Sequence, residues 1–472
     1  MGASVSTALE KEAPSSAIGD RRPRGKRHSE VHLHPSDQEL FDQTFTADAI
    51  SSCFLGAGEI RGRLTKSPAR HIFMSADRSC TYAALMFRGL YPDQMQKPCQ
   101  DSYVINEALF SGREKTAHWF MIFDGHGSSG HECAWYCRDN MEHVADKILE
   151  QEPLISIPDL LVKTNETMNE QLHSNFQIHS EDSGSTAVSV LTVDTTLYCS
   201  NVGDSRSILG VRNSQGKVVA QPLSIDQTLY RADERRRVLD MGGRVMSIGQ
   251  IEGRVSMSYN FECELGDEID QNGDPPRIWL PEKYEPGCAF SRSLGDKTAE
   301  VVGCIATPEI VAHELTDRDV LCVIASDGVW EFLTNQNVVD ICLVASDPYT
   351  ACHRIIAKAY QEWYEQEERI DDISVVVMFF GKYAVQLDSI AHLQSEKKQR
   401  SKRGSHVKPN VNDAGEPMTP TGLRTGGKTR RGSFSRLSFS KAKSKVEDTG
   451  NTDDLEEAVA RAVHLLQGDG GA

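Results

Sequence analysis

The chain has 472 residues, room for one large folded body with tails, since single cores stop growing near about 250–300 residues. Its 51 lysines and arginines against 68 aspartates and glutamates leave a net charge of −17, which disfavours nucleic acid as the main partner because a phosphate backbone demands a basic face. No run of about 18 apolar residues reads as a membrane span, and the 12 cysteines form no Cys-x-x-Cys pair, which points to reduced intracellular thiols and excludes a zinc or disulfide frame.

Residues 1–70 read as a polar leader. Met1-Gly2-Ala3-Ser4-Val5-Ser6 fits the N-myristoylation pattern, and Arg21, Arg22, Arg24, Lys26 and Arg27 form a basic cluster after it. Together they predict a peripheral membrane anchor, an N-myristoyl chain plus cations, on an otherwise cytoplasmic monomer. The same residues also read as a plain solvated extension.

The folded domain is expected over residues 71–383. Thr81 to Phe87 and Ser102 to Ile105 read as strands, and Trp119 to Phe123 as a buried strand that runs into Asp124-Gly125-His126-Gly127. Gly130 to Glu152 has helical spacing and carries Cys133 and Cys137 one turn apart, as two small buried residues. A second helix covers Ile157 to Phe176. Short strands then follow, Ala187 to Val193, Leu197 to Val202 and Ser205 to Val211, with Gly203-Asp204 at a turn. Arg231 to Met241 reads as a helix stopped by Gly242-Gly243, and Ser247 to Pro286 as a long irregular surface flap. Val320 to Ala325 is apolar and leads into Ser326-Asp327-Gly328. Helices over Asn335 to Ala345 and Tyr349 to Glu365 precede Asp371-Asp372 and the last strand, Ile373 to Phe380.

Residues 384–472 form a basic tail poor in hydrophobes, expected to be disordered. Within it Ser433 and Ser438 follow basic residues, as basophilic kinases favour, and Leu455, Ala458, Val459, Ala462, Val463 and Leu466 trace one face of a short amphipathic helix.

Asp124 at the end of one apolar run would be an ordinary Asp-Gly turn if it stood alone. Asp327 and the Asp371-Asp372 pair also stand beside apolar runs, and separated carboxylates at strand ends suit a hard divalent cation with oxygen ligands.

These residues lie in pieces whose order resembles the metal-dependent Ser/Thr protein phosphatases of the type 2C class. The pieces are QDSYV from Gln100, FDGHG from Phe123, GSTA from Gly184, NVGDSR from Asn201, DERRRVLDMGGRV from Asp233, FSRSLGD from Phe290, ASDGVW from Ala325 and DDISVVV from Asp371. The resemblance implies an α+β fold, an α-β-β-α sandwich of two antiparallel sheets flanked by helices. It also implies hydrolysis of phosphoserine and phosphothreonine on proteins by water activated between two Mn²⁺ or Mg²⁺ ions about 3.5–4 Å apart, with a weak third site. Asp124 and the Gly125 carbonyl, Asp327 and Asp371 are then the metal ligands, Asp101 holds metal-bound waters, Asp204 fits the third site, and His126 is the general acid.

Two departures stand out. Many family members carry Glu where this chain has Gln100, a neutral residue that would leave its metal less neutralised. The phosphate-gripping Arg of animal members corresponds to Gln96 here, which leaves Lys97 as the nearest phosphate-binding cation. A non-catalytic binding module of the same fold is the alternative reading, and it would be expected to lack metal carboxylates that this chain keeps.

Overall fold

The structure, a computed structural model, describes residues 64–381 apart from 76–77, 110–116, 259–260, 262 and 268–272. The acylation motif at Gly2 and Ser6, the basic cluster Arg21 to Arg27, and the tail with Ser433, Ser438 and Leu455 to Leu466 lie outside the described residues.

In chain order, strands β1 (Leu64–Phe73) and β2 (Ser79–Phe87) lead through a short 3-10 turn to β3 (Asp101–Leu109) and β4 (Ala117–His126). Helices α1 (Gly130–Gln151) and α2 (Ile157–Ser174) come next, followed by β5 (Gly184–Ser185), β6 (Ala187–Val193), β7 (Thr196–Val202), β8 (Arg206–Arg212) and β9 (Val218–Pro222). A smaller set follows: α3 (Ala232–Asp240), β10 (Arg244–Met246), α4 (Ile248–Ile251), β11 (Arg277–Trp279), β12 (Pro286–Cys288), β13 (Leu294–Gly295) and α5 (Lys297–Glu300). The chain closes with β14 (Glu309–Glu314), β15 (Asp319–Ala325), α6 (Asp327–Trp330), α7 (Asn335–Leu343), α8 (Pro348–Gln366) and β16 (Ile373–Phe380).

The strands form two large antiparallel sheets. One has the order β1-β2-β16-β15-β8-β9, the other β13-β5-β4-β6-β7-β14 with β3 paired to β4. Side chains alternate faces along a strand, so a strand covered on both faces must be apolar throughout. All eight residues of β16 are buried accordingly. Its Val376, Met378 and Phe380 meet Phe120 and Ile122 of β4 and Tyr82 of β2 between the sheets, while Val375, Val377 and Phe379 pack beneath α7 and α8. On the opposite flank Trp119, Met121 and Phe123 of β4 pack against α1 and α2, with Cys133 and Cys137 buried among them. This is the α-β-β-α sandwich. Truncating a fully buried aromatic such as Trp119 to alanine should cost about 3–5 kcal/mol.

The helices start where the sequence caps them. The Ser156 hydroxyl accepts from Asp159 N at the head of α2, Thr334 and Asn337 form a reciprocal capping box at α7, and Asp347 accepts from Thr350 N just before α8.

Four features differ from the sequence reading or were absent from it. Strand β1 begins at Leu64, ahead of the expected boundary at 71, and pairs with β2 across a register shift between Ser67 and Arg70. Strands β9 and β14 line the sheet edges, where their outer residues stay polar or exposed. The stretch expected as an irregular flap, Ser247 to Pro286, carries α4 and β11 and is otherwise without helix or strand among the described residues up to the start of β12 at Pro286, and it belongs to a small lobe. Its three-stranded sheet β10-β11-β12 packs with α3 and α5 around Leu229, Val238, Val245, Ile278, Ala299 and Val302.

Candidate metal centre

The inter-sheet face of β4 runs through Phe120 and Ile122, so the next residues on that face are Asp124 and His126 at the strand's end. Across the β3–β4 pair Asp101 stands directly opposite Asp124, which sets the two carboxylates on one face. The second sheet delivers its own acids at the same edge. Ser326 follows β15 and donates from Oγ to Asp101 Oδ2 at 2.8 Å, joining the sheets, and Asp327 is the next residue. Asp371 and Asp372 precede β16.

Electrostatics shows how closely these acids gather. Burial first, then the charges of Asp327, Asp101 and Asp371, push the Asp124 carboxyl far above the usual range. Asp327 is raised likewise by burial and by Asp371 and Asp204. Burial and the neighbouring Asp372 push Asp101 up to about 8. Asp204, in the turn after β7, rises to about 6 through burial and the charge of Asp226. Among the described residues no lysine or arginine lies within ion-pair distance of Asp101, Asp124 or Asp327, and the buried Asp101 Oδ1 has no hydrogen-bond partner.

A second acidic group provides the contrast. Asp233, Glu234 and Glu309 also lie close together, yet Arg231 meets Glu309 at 2.7 Å and Arg292 meets Glu234 at 2.7 Å, so that group is an internally neutralised lock of the small lobe. The strand-end group has no such neutralisation. Oxygen donors, mutual repulsion and an orphaned buried carboxylate oxygen together fit hard divalent cations such as Mg²⁺ or Mn²⁺.

Neighbouring residues divide into holders and shapers. Tyr91 donates its hydroxyl to Asp371 Oδ1. Asp372 accepts Gly89 N at 2.6 Å and Gln100 N at 2.7 Å, so both its oxygens clamp backbone and neither is free as a ligand. Gln100 donates from Nε2 to the Gly127 carbonyl at 2.7 Å, and its own carbonyl accepts Gly125 N, so this side chain staples the loop 124–127. Close packing explains the glycine at 125, where a Cβ would lie 2.2 Å from the Gly130 oxygen. Lys97 rests with Nζ 3.7 Å from the centre of the Tyr91 ring at the rim, where its charge acts on Asp372.

His126 has a partner that sequence reasoning missed. Its Nε2 lies 2.5 Å from Asp296 Oδ2, and its ring leans on Phe290 at 4.3 Å between centres. Burial alone would lower the imidazole, but the charge and hydrogen bond of Asp296, with Asp204 beyond, raise it overall. Asp296 holds φ +52°, unusual for a residue with a side chain, and a Cβ on Gly184 would come within 2.3 Å of its Oδ2. The signal available in the sequence is the closing aspartate of FSRSLGD.

Comparisons with known proteins bear on the family and the fold. The family model described as "Protein phosphatase 2C" matches residues 92–366. "Probable protein phosphatase 2C 35" of Arabidopsis thaliana is 37% identical over 326 residues, covering 69% of this chain and 91% of that one. "Probable protein phosphatase 2C 64" of Oryza sativa subsp. japonica is 32% identical over 305 residues, covering 63% and 66%. Among solved structures, the serine-threonine phosphatase 2C from Toxoplasma gondii matches with a TM-score of 0.52 at 15% identity, covering 67% of this chain and 99% of that one, a likeness of fold.

Proposed function

The chain belongs to the protein phosphatase 2C family and is a metal-dependent protein serine/threonine phosphatase, and from that premise we propose how its residues divide the work. The supporting observation is the group of buried Asp101 with half-buried Asp124 and Asp327 at one edge of the sandwich, with no lysine or arginine within ion-pair distance among the described residues. Asp124 and the Gly125 carbonyl, with Asp327 and Asp371, are the residues that would hold two Mn²⁺ or Mg²⁺ ions, and Asp204 would hold a weaker third. When bound, such ions supply an acidified water and neutralise charge at the phosphoryl group. Asp101 would orient that water through its unpaired Oδ1.

His126 supplies the proton that the departing serine or threonine oxygen needs, because an alkoxide is a poor leaving group. The Asp296 carboxylate favours the protonated imidazole and fixes its plane through Nε2. Lys97 contributes a point charge toward the incoming phosphate. Phosphoproteins are the substrates and the working unit is a monomer. The leader places the enzyme at a membrane surface, with Gly2 as acylation site and Arg21 to Arg27 as the second signal that one acyl chain requires. Gly2→Ala should move the protein to the soluble fraction on fractionation; unchanged fractionation would make the leader a plain extension.

The test of the activity is hydrolysis of a phosphothreonine peptide with Mn²⁺, Mg²⁺ or EDTA. Turnover with either cation and none with EDTA is expected. Full turnover in EDTA, or in Asp327→Asn at saturating metal, would sink the assignment.

A further inference from the structure

Asp371 meets the protein with one oxygen only. Its Oδ1 accepts the Tyr91 hydroxyl and, at 2.9 Å, the backbone N–H of Asp372, while Oδ2 has no hydrogen-bond partner among the described residues. A carboxylate oxygen has room for about two donors, so Oδ1 is filled and closed to anything further. Several separate contacts hold this arrangement. Leu90 and Ile370, one residue before Tyr91 and Asp371, exchange two backbone hydrogen bonds of 2.8 Å. Gly89 N meets Asp372 Oδ1 at 2.6 Å, and a Cβ on Gly89 would lie 2.3 Å from the Ile370 carbonyl oxygen, so the two segments touch backbone to backbone. From the rim, the Lys97 ammonium covers the Tyr91 ring at 3.7 Å from its centre. A cation on an aromatic face pins the ring and, by drawing on its electrons, makes the phenol a stronger donor.

The number of open oxygens bears on the size of the cation. Ca²⁺ takes about 6–8 oxygens at about 2.3–2.6 Å and often binds a carboxylate through both of its atoms, whereas Mg²⁺ holds a near-octahedral set at about 2.0–2.1 Å and keeps several waters. A carboxylate with one oxygen closed offers a single ligand atom. That suits the smaller ion and denies the larger one a two-pronged grip. Asp101 repeats the device, since Ser326 Oγ takes its Oδ2 at 2.8 Å and Oδ1 is the atom left open. Asp372 cannot make up the missing oxygen, because both of its own clamp backbone.

We propose that Tyr91 is a positioning residue that sets cation selectivity: by closing Asp371 Oδ1 it leaves Oδ2 as the one ligand atom, and so favours Mg²⁺ over Ca²⁺. This role rests on the reading of Asp371 as a metal ligand, and its test is read from binding, without turnover. Metal-stripped full-length protein is titrated calorimetrically with Mg²⁺ and with Ca²⁺, and the binding that Asp371→Asn abolishes marks the site. Tyr91→Phe removes only the hydroxyl, which reopens one position on Oδ1. The ratio of the Ca²⁺ Kd to the Mg²⁺ Kd should then fall about tenfold or more. Charge effects that two divalent ions share cancel in this ratio, as does a general loosening of the fold, so a merely structural tyrosine would leave it unmoved. Lys97→Met takes the cation off the ring while the phenol stays, and should lower the ratio in the same direction by about two- to fivefold. That variant decides the matter if Tyr91→Phe melts early. A ratio within twofold of wild type in folded Tyr91→Phe, or one that rises, would overturn the proposal, as would an unchanged ratio in Lys97→Met where it alone can be read. If Asp371→Asn abolishes no cation binding, the ligand reading falls and the selectivity role with it. If wild type binds cations yet hydrolyses no phosphothreonine peptide, the activity is what fails, and the ratio still decides the role of Tyr91.

Discussion

Asp124 and Asp327 sit half-buried among other aspartates with no lysine or arginine within ion-pair distance among the described residues, so each is costly to the fold without a cation. Replacing one should therefore separate stability from function. In EDTA, Asp327→Asn should melt higher than wild type, because it removes buried like-charge repulsion, while the rise in melting temperature that Mn²⁺ gives wild type should largely vanish. A thermal melt with and without metal reads both; a lower melting temperature in EDTA would show that the carboxylate stabilises the fold by itself. His126 gives a second residue-scale prediction. Asp296→Asn keeps the shape but removes the charge beside Nε2, so kcat for the phosphothreonine peptide should fall about 10- to 100-fold, and p-nitrophenyl phosphate, whose leaving group needs no proton, should lose far less. Equal losses on both substrates would leave Asp296 a purely structural residue.

At the scale of elements, adjacent residues part company. Asp371 and Asp372 look interchangeable in sequence, yet Asp372 ties the end of β2 to the start of β3 through Gly89 N and Gln100 N, whereas Asp371 meets Tyr91 at the metal edge. Asp372→Asn should destabilise the fold by about 1–3 kcal/mol, since an amide hydrogen would then face a backbone donor, and Asp371→Asn should cost metal binding with little loss of stability. Urea denaturation of the two variants in EDTA tells them apart. The strands beneath this edge were legible because both their faces are buried: Trp119 to Phe123 and Val320 to Ala325 are apolar at every position, and Ile373 to Phe380 at every position but Ser374. The edge strands β9 and β14 were not, because a strand half open to solvent carries only a weak alternation. The short strands of the lobe escaped the sequence reading since they are triplets, RVM, RIW and PGC, too short for any period to register. The acids at the strand ends were readable as a group. Asp296 was not, because its link to His126 spans 170 residues and exists only once β13 and β5 have paired.

The whole molecule carries opposing pH dependences. Asp204 and Asp101 titrate higher in the fold than when unfolded, so without metal their contribution favours the fold at low pH and is lost as pH rises through about 6 for Asp204 and about 8 for Asp101. His353 works the other way from the far side of the sandwich. On α8 it is buried against the Tyr349 ring, 4.6 Å between centres, and its Nε2 finds no partner. Burial and the charge of Lys66, against a smaller pull from Asp347, lower it to about 4 from 6.5. A histidine kept neutral by the fold contributes its full stability above pH 6.5 and loses it between 6.5 and 4, by up to about 3 kcal/mol at the acid end. Wild type and His353→Gln share every other titrating group, so the difference between them isolates this one even while the carboxyls shift in the opposite direction. Urea unfolding in EDTA at pH 7 and pH 4.5 should show wild type losing about 2–3 kcal/mol relative to the variant on acidification. An unchanged difference between the two pH values would mean that His353 takes up its proton in the fold as readily as in the unfolded chain, by reaching water or an acceptor that its buried position denies it.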